Sequence, residues 1–140
     1  MTAAPLAVGD TVSASVTFDD ATVRAFAELS GDRNPLHLDD AAAAKGRFGR
    51  RIVHGALVTA QFSRLLASEL PGPGTIYLEQ QASFLRPVFV GDTLTIAMTV
   101  VDVANDSLRV VLETIATNAA GKRVVEGRAV VLRPDSEESP

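Results

Sequence analysis

The chain has 140 residues, 46% of them hydrophobic and 21% charged, with a formal net charge of -4. This is the balance of one globular domain with a sizeable core, and the negative charge argues against general nucleic-acid binding, which shows as a basic face. Cysteine is absent and His37 and His54 are the only histidines, which excludes disulfides, thiolate nucleophiles and all-histidine zinc sites; no metal is expected.

Met1 to Asp10 lacks the basic start and apolar core of a signal peptide, and no apolar run reaches membrane-spanning length. A cytoplasmic address without a membrane partner is the expectation. Thr11 to Phe18 alternates Val12, Ala14 and Val16 with polar residues, which predicts a half-buried edge strand. Asp19 or Asp20 then caps a helix whose Val23, Phe26, Ala27 and Leu29 recur at helical spacing and which ends at Gly31.

The next residues, Ser30-Gly31-Asp32-Arg33-Asn34-Pro35-Leu36-His37, carry the chemistry. Gly31 permits positive φ, Asn34 folds its amide onto nearby backbone, and Pro35 fixes its own φ while driving Asn34 out of the α region. The chain must turn sharply, with Asp32 and His37 on either side of the turn and able to share one water. A carboxylate and an imidazole so placed pass protons at neutral pH. The plainer alternative is that Asp32 and Asn34 only form the turn and His37 only starts a helix.

Beyond the turn, Asp39 or Asp40 caps a short alanine-rich helix that stops at Gly46. Lys45, Arg47, Arg50 and Arg51 follow in a loop, either solvated or placed for the phosphates of an acyl carrier. From Ile52 to Leu70 apolar residues occur on nearly every side, the mark of a buried helix. None of the residues ahead of Gly55 is a good N-cap, so its first amides are free for a developing oxyanion. At 100° per residue Thr59, Phe62, Ser63 and Leu66 share the face of Gly55 and are expected to line a substrate slot. His54 reads as an orienting or structural residue at the helix entrance.

After Pro71-Gly72-Pro73-Gly74 the segments Thr75–Arg86, Thr93–Val103, Leu108–Asn118 and Arg123–Leu132 read as strands. The turns at Gly91-Asp92, Asn105-Asp106-Ser107 and Ala120-Gly121 are short enough to make successive strands antiparallel neighbours. A buried helix followed by four long strands is an α+β pattern, with an antiparallel sheet curled around the helix. Residues 1–134 form a single domain on this reading, and Asp135 to Pro140 a polar tail.

Phe26-Ala27-Glu28-Leu29 with the turn sequence and Ala43, then Ile52-Val53-His54-Gly55, Phe62-Ser63, Phe84-Leu85-Arg86-Pro87-Val88 and Val90-Gly91-Asp92, resemble in order the landmarks of (R)-specific enoyl-CoA hydratases of the MaoC-like family. Arg51 departs from them, standing where relatives often carry proline. The resemblance implies a hotdog fold, a homodimer, and syn addition of water to a trans-2-enoyl-CoA by Asp32 and His37 to give an (R)-3-hydroxyacyl-CoA. Asn34 and Gly55 would hold the thioester and Ser63 would line the site; no cofactor is implied, coenzyme A being part of the substrate. A 3-hydroxyacyl-CoA or acyl-carrier-protein dehydratase, a hotdog thioesterase and a non-catalytic acyl-binding subunit are the alternatives.

Overall fold

The computed structural model describes residues 5–134; the expected polar tail, Asp135 to Pro140, lies outside the described residues. The elements are β1 (Thr11–Thr17), α1 (Asp20–Ser30), α2 (Pro35–Leu38), α3 (Asp40–Ala44), α4 (Gly55–Ser68), β2 (Ile76–Phe84), β3 (Thr93–Val103), β4 (Arg109–Thr117) and β5 (Arg123–Leu132). The five strands make one antiparallel sheet in the order β1-β3-β4-β5-β2.

Period-two alternation decides which side chains reach the core. Leu94, Ile96, Met98 and Val100 of β3 and Val110, Leu112 and Ala116 of β4 all point inward and are at most 1% exposed. Against them α4 packs Leu57, Val58, Phe62, Leu65 and Leu66, and helix and sheet form one apolar cluster. This is the expected hotdog arrangement, an α+β fold with the sheet around the central helix.

One neighbour relation differs from the sequence reading. β2 does not pair with β3 across Gly91-Asp92; it lies at the sheet edge beside β5, and β3 pairs with β1 instead. The reason is in the link. Pro87 cannot donate to a ladder, and the residues after it bond elsewhere: the Val53 N–H donates to the Val88 carbonyl at 2.7 Å, and Ile52 bridges Phe89. The link thus tethers the segment that leads into α4 rather than closing a hairpin.

Candidate active site

α1 is capped by Asp19, whose carboxylate accepts the Thr22 N–H at 2.8 Å. Hydrogen bonds from Thr22, side chain first and backbone second, hold the Asp19 carboxyl below the ordinary value of 3.8. The helix closes at Gly31 with φ of 80°, and the Gly31 N–H returns to the Ala27 carbonyl at 2.9 Å. A chain of side-chain bonds then makes the turn. Ser30 Oγ accepts the Asp32 N–H at 3.1 Å, Asp32 Oδ1 the Asn34 N–H at 3.3 Å, and Asn34 Oδ1 the Leu36 N–H at 3.1 Å. With Pro35 at its start, α2 is one turn long and carries His37 inward to 8% exposure, while Asp32 and Asn34 stay exposed.

His37 meets two partners there. Its Nδ1 lies 2.8 Å from the Ile52 carbonyl, and its ring stacks on His54 with centroids 3.8 Å apart. His54 Nε2 lies 2.9 Å from the backbone carbonyl of Asp32. Because a carbonyl only accepts, both nitrogens must donate. Neutral His37 therefore keeps its lone pair on Nε2. His54 keeps its own on Nδ1, a buried atom without a partner.

Asp32, His37 and His54 each bring a potential ligand atom within 4.8 Å of the others. Two hydrogen bonds of about 2.8 Å each span up to roughly 5.6 Å, so a carboxylate and an imidazole within 4.8 Å of one another are in reach of a single bridging water. The two rings are inclined by only 28°, so the lone pairs of His37 and His54 lie in nearly parallel planes.

α4 begins at Gly55 immediately after His54, with no side-chain cap; its first bond runs from the Leu57 N–H to the His54 carbonyl at 3.1 Å. The Gly55 and Ala56 amides thus have no intrahelical acceptor. A cleft of about 400 Å³ opens beside Gly55, walled by Phe48, Ile52, Val58, Phe84 and Val88. Asp32 and His37 do not line it; it approaches them through Ile52 and Gly55.

The expected slot along α4 is different in the structure. Phe62 and Leu66 are 0% and 2% exposed and fill the core, because the sheet covers that face of the helix. Thr59 turns its hydroxyl back to the Ala56 carbonyl at 3.1 Å, Ser63 is half-buried, and neither borders the cleft. The four cations also part company. Lys45 and Arg47 are exposed, whereas the Arg50 guanidinium sits 3.8 Å over the Phe89 ring. Arg51 is buried: Nε donates to the His37 carbonyl at 3.0 Å and a terminal nitrogen bonds Asp20. It is unavailable to a phosphate, since a guanidinium sunk in the fold must keep such partners.

Residues 4–123 match the MaoC like domain model. The chain belongs to the MaoC-like family. It is 47% identical over 134 residues to the (R)-specific enoyl-CoA hydratase of Aeromonas caviae, covering 96% of this chain and 100% of that protein. The solved (R)-hydratase from A. caviae superimposes with a TM-score of 0.91 over 94% of this chain and all of that one. A 3-hydroxybutyryl-CoA dehydratase from Methylorubrum extorquens is 37% identical over 135 residues, 96% of this chain and 85% of its own.

In this MaoC-like domain the sequence reading underrated His54, Arg51 and Phe84. His54 was legible as a helix entrance, but its stacking on His37 depends on a fold that brings residues 37 and 54 together. The clue to Phe84 was Gly55 itself: a Cβ there would lie 2.7 Å from the Phe84 ring. Arg51 gave only its departure from the proline of its relatives.

Proposed function

We propose that this MaoC-like protein is an (R)-specific enoyl-CoA hydratase. The observation that carries the reading is the approach of the Asp32 carboxylate to the His37 imidazole within the 4.8 Å cluster. Hydration needs a base to take a proton from water as its oxygen attacks the β-carbon of a trans-2-enoyl thioester, and an acid to protonate the α-carbon. Asp32 and His37 share these two transfers as one coupled pair. Water and proton arrive from the same side, a syn addition that yields the (R)-3-hydroxyacyl-CoA. The free Gly55 amide, at the positive end of α4, receives the thioester oxygen as charge grows on it, and the exposed Asn34 amide steadies the acyl group.

Lys45 and Arg47, both exposed in the loop ahead of α4, supply phosphate contacts for coenzyme A. No resident cofactor takes part. The enzyme works in the cytoplasm as a homodimer; in support, Ile76, Tyr77 and Leu78 of edge strand β2 are 56%, 38% and 45% exposed, an apolar edge that a second copy would cover. A second reading, 3-hydroxyacyl dehydration on coenzyme A or acyl carrier protein, uses the same groups in reverse, and the M. extorquens relative bears a dehydratase name.

The test is spectrophotometric. Purified protein should bleach the enoyl absorbance of crotonyl-CoA, and chiral analysis should find the (R) product. Asp32→Ala and His37→Ala should remove the activity while leaving a folded protein. Full activity in either variant overturns the site, and release of free coenzyme A without hydroxyacyl product would mark a thioesterase.

A further inference from the structure

The backbone of α2 poses a problem that its own length cannot solve. A single helical turn has little stability of its own, isolated helices below ~12 residues being marginal in water. The carbonyls at its end need partners from outside. Each has one. The Leu36 carbonyl accepts the Ile52 N–H at 3.1 Å, the His37 carbonyl accepts Arg51 Nε at 3.0 Å, and the Leu38 carbonyl accepts a terminal nitrogen of Arg24 at 3.1 Å.

The two arginines meet at one carboxylate. Asp20, in the first turn of α1, takes Arg24 on one side, Nε to both oxygens at 3.1 Å, and Arg51 on the other. Asp40 adds a weaker charge contact, 3.8 Å from Arg51 Nε. The Arg51 side chain is 9% exposed, so its desolvation must be offset by Asp20 and the His37 carbonyl together. Residues 51 and 52 thereby hold His37 at both ends: Arg51 grips its carbonyl and the Ile52 carbonyl grips its ring.

We infer that Asp20, Arg24 and Arg51 are positioning residues for His37, a carboxylate-bridged arginine pair that caps α2 and fixes where the imidazole stands. The inference rests on the proposal that His37 is catalytic. None of the three touches the reacting atoms. Their effect is on the orientation of the ring and on its tautomer, through the bond to Ile52.

Steady-state hydration of crotonyl-CoA by R51M, R51K and D20A tests this, together with 15N spectra of the imidazole of His37 recorded without substrate. Misplacing a catalytic group by 1 Å costs about 100-fold in rate, so R51M should lose roughly 10- to 100-fold in kcat with KM within about twofold. R51K should fall between R51M and the parent, because a single ammonium nitrogen keeps the charge but lacks the planar fork whose separate nitrogens reach the His37 carbonyl and Asp20. D20A, which removes an exposed carboxylate, should lose about threefold or more in kcat, and the His37 spectrum should pass from one tautomer, protonated on Nδ1, to a mixture in both R51M and D20A.

A folded R51M or D20A with parental kcat, or with a raised KM alone, overturns the positioning role, while inactivity of His37→Ala leaves the site reading standing. If R51M does not fold, D20A decides. If the parent itself does not hydrate enoyl-CoAs, the site reading fails, and the His37 spectrum of D20A still decides the positioning: an unchanged tautomer overturns it.

Discussion

Gly55→Ala separates the part Gly55 plays in chemistry from its part in folding. An added Cβ would stand 2.7, 3.0 and 3.2 Å from Cε1, Cζ and Cδ1 of Phe84. Carbon atoms rest at about 3.5–4.0 Å, so the ring must retreat by roughly 1 Å. Phe84 is 58% exposed and free to do so. Gaining alanine for glycine stabilises by about 0.4–1 kcal/mol where the backbone allows it, and an off-rotamer ring costs ~0.5–1.5 kcal/mol. The sum leaves stability within about 1 kcal/mol of the parent, a change a thermal melt will barely register. Activity is another matter, since the methyl and the displaced ring both crowd the amide proposed to receive the oxyanion. Loss of one such donor costs about 100- to 1000-fold in kcat. Crotonyl-CoA kinetics on G55A should therefore show a loss of at least tenfold beside a near-parental melt, and on G55A/F84A, where the ring is gone, a partial return. A G55A enzyme at parental kcat would refute the role given to that helix end.

Phe62→Ala should cost about 3–5 kcal/mol of stability as a core truncation; denaturant titration reads it, and a stable variant with only altered chain-length preference would restore Phe62 to the slot. His54→Phe keeps the ring stack but removes both the bond to the Asp32 carbonyl and the buried unpartnered Nδ1, two terms of about 1–3 kcal/mol and opposite sign. Its melt should stay close to the parent while kcat falls, and unchanged kcat would show that Asp32 needs no such hold. Asp19 has a depressed folded pKa, so its cap stabilises α1 above the unfolded value of about 3.8 and is lost as pH falls through the lower folded value. The stability gap between parent and Asp19→Ala, measured by melts across pH 2–6, should accordingly close at the acid end; a gap independent of pH would contradict it.

What could be read from sequence depended on how local the causes were. The α1 boundaries were legible because Asp19 and Gly31 act on their own neighbours, and the sheet because alternation along β3 and β4 is a property of each strand alone. The place of β2 was not, since Pro87-Val88-Phe89 bonds to residues 52 and 53, far away in the chain. The same distinction divides the site. The turn from Gly31 to His37 is written in consecutive residues. Helical spacing put Phe62 and Leu66 on the face of Gly55 correctly, but could not tell that the sheet would cover it. Nor could it distinguish Arg51 from Arg47, four residues away, because burial is set by Asp20 and His37, not by the loop.

The positions where the fold leaves polar groups unused are themselves informative. α1, α2 and α3 each spend a side chain on their first amides, Asp19, Asn34 and Asp39 respectively, so this chain caps its helices as a rule. α4, the longest helix, does not, and the residue in the capping position is a histidine whose Nδ1 is buried without a partner. Arg133 Nε, just after β5, is likewise buried without a partner. An uncapped helix start and an orphaned imidazole nitrogen adjoin at residues 54 and 55, and a stacked imidazole and a carboxylate stand against them. Each omission forgoes stability that a serine or aspartate at position 54 would supply. Such local departures from an otherwise consistent pattern are where function is expected to lie, and here they adjoin the proposed Asp32–His37 pair.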